Sequence, residues 1–331
     1  FEYRYRILVC VTILQALMNP IASLVLIRIN GGTAMMRILG IVGVQVCICV
    51  PIIVFQFCKG KEFFSKEYWG YALRIGIPIV PHYLSGIILN QGDRIMIDKM
   101  VGKTEVALYG LAYSIGMLVQ LFISGMNSAL TPWMYSKKGD IRSMRKVLQL
   151  LSIVVVGIAV ALMLISPELV LIFGSPKYRE AVYVIPPVAA SVFFIFIYNI
   201  LSMPQFYYEK TQFLMAASMA AAGANVVLNF IFIRLFGYIA AGYTTLACYM
   251  LYSVGHYIVS KRILVNEGIQ ENLMSPGFLV ACSVFLIGAS IICNLIFPYR
   301  ILRYAILLAS AGLVFWKKEL LLKTMADIRK K

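Results

Sequence analysis

Apolar residues fall into ten runs separated by short polar segments, and these runs follow one another along almost the whole 331-residue chain. A helix needs about 20 apolar residues to cross roughly 30 Å of hydrocarbon. Because a chain in lipid must satisfy its own backbone hydrogen bonds, such runs are expected to be helical. The pattern predicts an all-α integral membrane protein with ten transmembrane helices, at 7–28, 37–57, 71–92, 106–130, 147–166, 181–203, 213–234, 238–260, 277–297 and 299–316.

The overall composition supports a membrane location. Hydrophobic residues make up 61% of the chain and charged residues 13%, and the mean hydropathy is +0.85. A water-soluble enzyme is excluded, since it could not bury so much apolar surface. A net charge of +16 would suit nucleic acid in a soluble protein. Here most cations lie between the runs, so we expect membrane lipids and not nucleic acid as their partner.

The Lys and Arg residues are distributed unequally between the two sides of the predicted membrane. One side carries 19 of them, including those before the first run and in the basic tail, and the other side carries 10. Loops rich in Lys and Arg stay in the cytoplasm. We therefore expect both ends of the chain to be cytoplasmic.

The sequence offers no pattern typical of an enzyme or of a metal protein. It lacks a hydrolase triad, paired catalytic carboxylates, a phosphate-binding loop and His/Glu metal spacing, and its seven cysteines form no paired CxxC motifs. The longest loop has about 16 residues, too few for a catalytic domain. We expect no catalytic activity, no metal and no cofactor.

Polar residues recur at helical spacing inside several of the runs. The fourth run carries a stripe of polar or small residues with spacings of three and four, namely Tyr109, Tyr113, Gly116, Gln120, Ser124, Asn127 and Thr131. Such stripes indicate either close helix packing or a water-filled cavity. The candidate residues of one shared cavity are Arg74, His82, Asp93, Arg94, Tyr109, Tyr113, Gln120, Asn127, Tyr198, Asn225 and Asn229.

The charged candidates have simpler interpretations as well. Arg74 is suited to bind phosphate, or it extends to the cytoplasmic interface from about one turn inside its run. Asp93 and Arg94 either line the cavity or pair with each other or with Lys99 at the outer surface. His82, which stands alone after a proline, is either a proton carrier or a hydrogen-bonded core histidine.

Three segments resemble one family of membrane proteins. NQGDRIMIDKMVGKTEVALYGLAYSIG (90–116), PELVLIFGSPKYREA (167–181) and NVVLNFIFIRLFGYIAAGYTT (225–245) are similar to motifs of bacterial O-antigen and capsule flippases. These flippases form a branch of the multidrug/oligosaccharidyl-lipid/polysaccharide exporter superfamily. The resemblance implies fourteen helices, which form two six-helix lobes around a central cavity and two extra helices at the end, and this chain holds the fifth to the fourteenth.

On that scheme the chain is part of a longer protein and lacks the first four helices, so that its N-terminal lobe is incomplete. The implied domains are the last two helices of the N-terminal lobe (1–58), a six-helix C-terminal lobe (59–262) and two additional helices with a basic cytoplasmic tail (263–331). The implied location is the bacterial cytoplasmic membrane.

The resemblance also implies the substrate, an oligosaccharide on polyprenyl diphosphate, which alternating access would move to the outer leaflet for surface polysaccharide synthesis. A polysaccharide polymerase and glycosyltransferases are then expected as partners. An alternative is a multidrug or small-solute antiporter of the same superfamily, which needs acidic residues in its cavity. The intramembrane charge seen in the sequence is mainly positive, which counts against the antiporter. A membrane-embedded glycan enzyme is a third class, but the large outer loop or clustered His/Asp site that such enzymes carry is absent.

Overall fold

The computed structural model describes residues 5–29, 33–61, 64–137 and 140–316, and every regular element in this part of the chain is helical. Eleven α-helices and one 3-10 helix occur there. They are α1 (Tyr5–Ile29), α2 (Ala34–Gly60), α3 (Lys66–Met100), α4 (Lys103–Gly116), α5 (Leu118–Ser136), α6 (Ile141–Phe173), the 3-10 helix (Pro176–Val184), α7 (Ile185–Tyr207), α8 (Thr211–Phe236), α9 (Ile239–Asn266), α10 (Pro276–Ile296) and α11 (Arg300–Trp316).

These elements confirm the predicted all-α membrane protein. Each of the ten predicted runs coincides with a helical segment, with α4 and α5 forming the fourth and the 3-10 helix and α7 forming the sixth. Eight stretches in the described residues are long and apolar enough to cross a membrane. The other two runs are α9, which carries several polar residues, and α11, whose described part has 17 residues. The predicted basic tail after Trp316 lies outside the described residues.

One predicted boundary is wrong in a way that matters for the site. α3 has 35 residues and continues to Met100, beyond the predicted end at 92. The charged pair Asp93 and Arg94 made the run look finished, since charges usually end an apolar segment. Both residues lie inside the helix instead.

The chain divides into two compact units, residues 1–73 and 74–331. In the first unit α1 and α2 approach closely, because a Cβ atom added at Gly40 would lie 2.6 Å from the Ser23 Cα. The Ser23 hydroxyl also donates to the Arg37 carbonyl at 3.2 Å. The division into two units does not test the predicted domain boundaries, so the domains at 1–58, 59–262 and 263–331 stay predictions.

In the second unit α7 is the central helix. Of its 23 residues, 19 are buried, and it packs against α9, α6, α5 and α10. Pro186 and Pro187 occupy its first turn, where a missing N–H leaves no hydrogen bond unmade. α6 begins after Asp140, whose side chain accepts a hydrogen bond from the Ser143 backbone N–H at 3.1 Å.

An ion pair connects α11 to α6. The Arg303 side chain is only 3% exposed and donates to both carboxylate oxygens of Glu168, at 2.7 and 2.8 Å, and to the Leu164 carbonyl at 2.6 Å. Pro167 lies at this point of α6 and cannot donate to Met163, and the Ser166 hydroxyl donates to that carbonyl instead at 2.8 Å. The ion pair therefore fixes α11 at a proline-modified turn of α6.

Candidate functional site

Polar side chains of α3, α8 and α9, hydrogen-bonded in several groups that follow one another, lie together inside the second unit. We call this set the polar column. Its members are His82, Asn90 and Asp93 in α3, Ser218, Asn225 and Asn229 in α8, and Thr244, Thr245, Tyr249, Tyr252 and His256 in α9. Apart from Thr244, which directly precedes Thr245, the members on each helix are spaced by three, four, seven or eight residues, so that each set lies on one face of its helix.

Asp93 lies at one end of the polar column and is fully buried. Its Oδ1 accepts a hydrogen bond from the Asn229 amide at 2.6 Å, and its Oδ2 accepts from the Thr245 hydroxyl at 2.6 Å and from the Tyr109 hydroxyl of α4. The Thr244 hydroxyl donates in turn to the Asn229 carbonyl oxygen. Three helices besides α3 therefore hold the carboxyl group in place.

The expected pairing of Asp93 with Arg94 or Lys99 is not found in the described residues. The Arg94 guanidinium donates to Gln91 at 2.6 Å and lies 5.2 Å from the centre of the Tyr113 ring. Because successive residues of a helix point in different directions, Asp93 is fully buried while Arg94 lies half-buried beside the Tyr113 ring. Among the described residues, only neutral donors contact the buried carboxyl group.

A carboxylate buried among neutral groups is costly unless it takes up a proton or a cation. The oxygen atoms around Asp93, from hydroxyl and amide groups, are of the type that binds hard monovalent cations. Among the described residues no group of three or more His, Cys, Asp or Glu side chains is placed to hold a metal ion. The three hydrogen bonds offset part of this cost, and Asp93 is a candidate for reversible uptake of one proton or one monovalent cation.

Asn90 lies in the middle of the polar column. Its Oδ1 accepts hydrogen bonds from the Tyr113 hydroxyl at 2.7 Å and from the Tyr249 hydroxyl at 3.3 Å, and its amide donates to the Gly86 carbonyl at 2.8 Å. The rings of Tyr109 and Tyr113 lie 5.7 Å apart. The two tyrosines of α4 therefore connect to the polar column at adjacent points, Asp93 and Asn90.

The other end of the polar column contains both histidines of the chain. The His82 Nδ1 is within hydrogen-bond distance of the Ser218 hydroxyl and lies 3.0 Å from the Tyr252 hydroxyl. The His256 ring is centred 6.5 Å from the His82 ring, and its Nδ1 lies 2.8 Å from the Gln205 amide. The sequence suggested that His82 stands alone, but in the structure it has two hydrogen-bond partners. It therefore fits the interpretation as a hydrogen-bonded core histidine.

A cavity of about 180 Å³ adjoins the polar column between α3, α7 and α9. It is lined by His82, Tyr83, Gly86, Leu89, Asn90, Tyr198, Asn199, Ser202, Phe206, Tyr249 and Tyr252. The Tyr198 ring is stacked on that of Tyr249 with centroids 6.4 Å apart, and its centroid lies 4.5 Å from that of Tyr252. We call this space the aromatic cavity.

Of the eleven candidate residues, seven meet along the polar column and the aromatic cavity. They are His82, Asp93, Tyr109, Tyr113, Tyr198, Asn225 and Asn229. Arg94 borders this group through the Tyr113 ring. Arg74 is exposed, and no hydrogen bond or ion pair between described residues joins it to the other candidates.

The predicted stripe in the fourth run does not form one helical face. The helix breaks at Met117, so Tyr109 and Tyr113 belong to α4, while Gln120 and Asn127 belong to α5. Gly116 serves helix packing, since a Cβ atom there would lie 2.6 Å from the Val188 Cγ1 of α7. The side-chain oxygens of Gln120 and Asn127 are buried without a partner in the described part of the chain, and they lie outside the polar column.

Sequence reasoning missed the contribution of α9. Thr245, Tyr249, Tyr252 and His256 are spaced by four, three and four residues, which is the same kind of spacing that marked the stripe in the fourth run. The two tyrosines make this run look apolar, because tyrosine is counted among the hydrophobic residues and its hydroxyl group is then not considered as a polar group. The buried ion pair of Arg303 was missed as well, because its partner Glu168 is 135 residues away.

Comparison with known proteins gives two family matches and two relatives. The model of the family described as "Polysaccharide biosynthesis protein" matches residues 3–138, and the MatE family model matches residues 78–231. The chain is 28% identical over 172 residues to "Lsg locus putative protein 1" of Haemophilus influenzae, covering 48% of this chain and 41% of that protein. It is 29% identical over 189 residues to an "Uncharacterized membrane protein" of the same organism, covering 53% of this chain and 46% of that protein.

The matched regions of the chain thus span less than half the length of each of these relatives. No solved structure matches the chain significantly. The two family matches overlap at residues 78–138, a range that contains α4, α5 and most of α3. Asp93, Tyr109 and Tyr113 therefore lie in the region that both families share.

Proposed function

We propose that the chain belongs to the multidrug/oligosaccharidyl-lipid/polysaccharide exporter superfamily, as the matches at residues 3–138 and 78–231 support, and that it moves an oligosaccharide carried on polyprenyl diphosphate across a bacterial cytoplasmic membrane. Both matched families consist of transporters and not of enzymes, which agrees with the expectation from the sequence. The proposed movement is from the inner to the outer leaflet by alternating access, in the service of surface polysaccharide synthesis.

The polar column is the observation that supports this proposal most directly. Sugars and phosphates cannot cross hydrocarbon without polar groups to replace water, while a polyprenyl chain is stable in lipid. Polar side chains inside a membrane bundle are costly and usually mark a transport or coupling path. The polar column therefore supports a transport function.

Within this proposal Asp93 is the coupling group. Taking up a proton or a cation removes its buried charge and changes what its three donors contact, which can favour one of two helix arrangements. Arg74, Gln120 and Asn127 remain predicted substrate contacts, with the Arg74 guanidinium suited to the diphosphate. Both ends of the chain are placed in the cytoplasm, and the partners are membrane lipids, a polysaccharide polymerase and glycosyltransferases, without nucleic acid.

The proposal is tested by deleting the coding sequence in the bacterium that carries it and measuring surface polysaccharide and intracellular lipid-linked saccharide. We expect the polysaccharide to fall and the lipid-linked saccharide to accumulate, and a plasmid copy to reverse both. Asp93→Asn should fail to reverse them, whereas Asp98→Asn, an exposed aspartate of the same helix, should succeed. Normal surface polysaccharide in the deletion strain would overturn the proposal.

A multidrug or small-solute antiporter of the same superfamily is the second candidate. The MatE match at 78–231 favours it, and so does the buried Asp93, because an interior acid attracts cationic solutes. The sequence-based argument that intramembrane charge is mainly positive loses force, since Arg74 is exposed and Arg303 is paired with Glu168. Increased sensitivity of the deletion strain to cationic drugs, with normal polysaccharide, would select this candidate.

A further inference from the structure

We propose that the aromatic cavity binds one sugar ring of the transported saccharide, and that His82, Tyr198 and Asn199 recognise it. This inference rests on the proposed function and adds a position at which the sugar is held. No substrate contact predicted from the sequence includes Asn199, and the cavity lies within one compact unit of the chain.

The first argument is the size of the cavity and the nature of its walls. About 180 Å³ is well below the roughly 300 Å³ at which drug-sized pockets begin, but it exceeds the space of a few water molecules. The rings of Tyr198, Tyr249, Tyr252 and Phe206 border it. Aromatic faces pack against the C–H face of a sugar ring and keep its hydroxyl groups free for hydrogen bonds.

The second argument is that polar groups around the cavity lack partners in the described part of the chain. His82 uses its Nδ1 for Ser218 and Tyr252, which leaves Nε2 available. The side-chain amide of Asn199 and the hydroxyl of Tyr198 have no hydrogen bond to any described residue, and neither group is sealed from solvent. Together they offer donors and acceptors of the kinds that hydroxyl groups require.

The third argument is that the lining carries no charged side chain. A diphosphate would require Lys or Arg, and a metal ion would require Asp or Glu. A neutral ring with several hydroxyl groups needs only amide, imidazole and hydroxyl partners beside an aromatic wall. The neutral lining therefore selects the saccharide part of the substrate over its phosphate part.

The proposal is tested on the purified protein in detergent with free monosaccharides as probes. The panel contains a hexose, an N-acetylhexosamine, a deoxyhexose and a hexuronic acid, and binding is followed by saturation-transfer NMR and titration. We expect at least one probe to bind, and Asn199→Ala to raise its Kd by about tenfold. Tyr198→Phe, which removes only a hydroxyl, should raise the Kd by about threefold.

The matched control is Asn294→Ala, which changes a half-buried asparagine of α10 outside the cavity. This variant should bind the same probe within twofold of the unchanged protein. Thermal unfolding of all three variants checks that they are folded.

Two results would overturn the proposal: no binding by any probe, or binding that neither cavity variant changes. If either occurs while surface polysaccharide is still exported, only the sugar position is wrong. If the cavity variants weaken binding while the deletion strain exports normally, the sugar position stands and the proposed function falls.

Discussion

Replacing Asp93 by alanine tests whether the polar column holds the second unit together. The change removes the acceptor of three hydrogen bonds, from Tyr109, Asn229 and Thr245. Because Asp93 is fully buried, water does not reach the three donors in its place. Asp93→Ala should therefore lower the free energy of unfolding.

The expected size follows from the number of bonds. Hydrogen bonds between helices in a membrane contribute about 0.6 kcal/mol each on average, and net values in soluble proteins are about 1 kcal/mol. Three lost bonds then amount to about 2–3 kcal/mol. Asp93→Asn keeps the shape and one acceptor, and the two hydroxyl donors can rotate to accept from the new amide, so its loss should be under about 1 kcal/mol.

The assay is equilibrium unfolding in mixed micelles of increasing SDS content, followed by circular dichroism. Asp98→Ala serves as the control, since Asp98 is exposed in the same helix, and it should leave the midpoint unchanged. If Asp93→Ala and Asp98→Ala unfold at the same SDS content, the hydrogen bonds around Asp93 contribute nothing and the reasoning is refuted.

Two further predictions concern packing and charge. Gly116→Ala places a methyl group against Val188 and should lower the free energy of unfolding by about 1–3 kcal/mol in the same SDS titration. The control is Gly125→Ala, which should change the free energy of unfolding little because nothing lies within 4 Å of the new Cβ. Equal effects of the two variants would contradict the close contact between Gly116 and Val188. Arg303→Met and Glu168→Gln should each cost about 1–3 kcal/mol, because a partly buried ion pair loses one partner. The double variant should cost clearly less than the sum, and strict additivity in this double-mutant cycle would show that the pair is not coupled.

The helical segments could be predicted from sequence because lipid imposes one rule on every run. Any apolar run of sufficient length must satisfy its own backbone, so length and hydropathy suffice to place the helices. The position of the C-terminal end of α3 was predicted wrongly, because the same rule assigns charged residues such as Asp93 and Arg94 to the aqueous side of a membrane boundary. Their actual surroundings depend on α4, α8 and α9, which lie up to 152 residues away from Asp93.

The polar stripe of α8 was predictable from spacing alone. Ser218, Asn225 and Asn229 are all fully buried and face the polar column, as their period required. The stripe of the fourth run was predictable only in its first half, because Gly116, which directly precedes the break at Met117, was interpreted as one more small residue of the stripe. The aromatic cavity could not be predicted, since its walls come from three helices whose relative rotation is set by packing.

The most direct measurement of the central proposal uses purified protein in liposomes with a fluorescent oligosaccharide on polyprenyl diphosphate, initially in the inner leaflet. Appearance of the sugar at the outer surface is followed with an impermeant enzyme that oxidises exposed sugars. The account predicts appearance above the rate of protein-free liposomes, retained by Asp98→Asn and lost in Asp93→Asn. Equal rates with and without protein would contradict it.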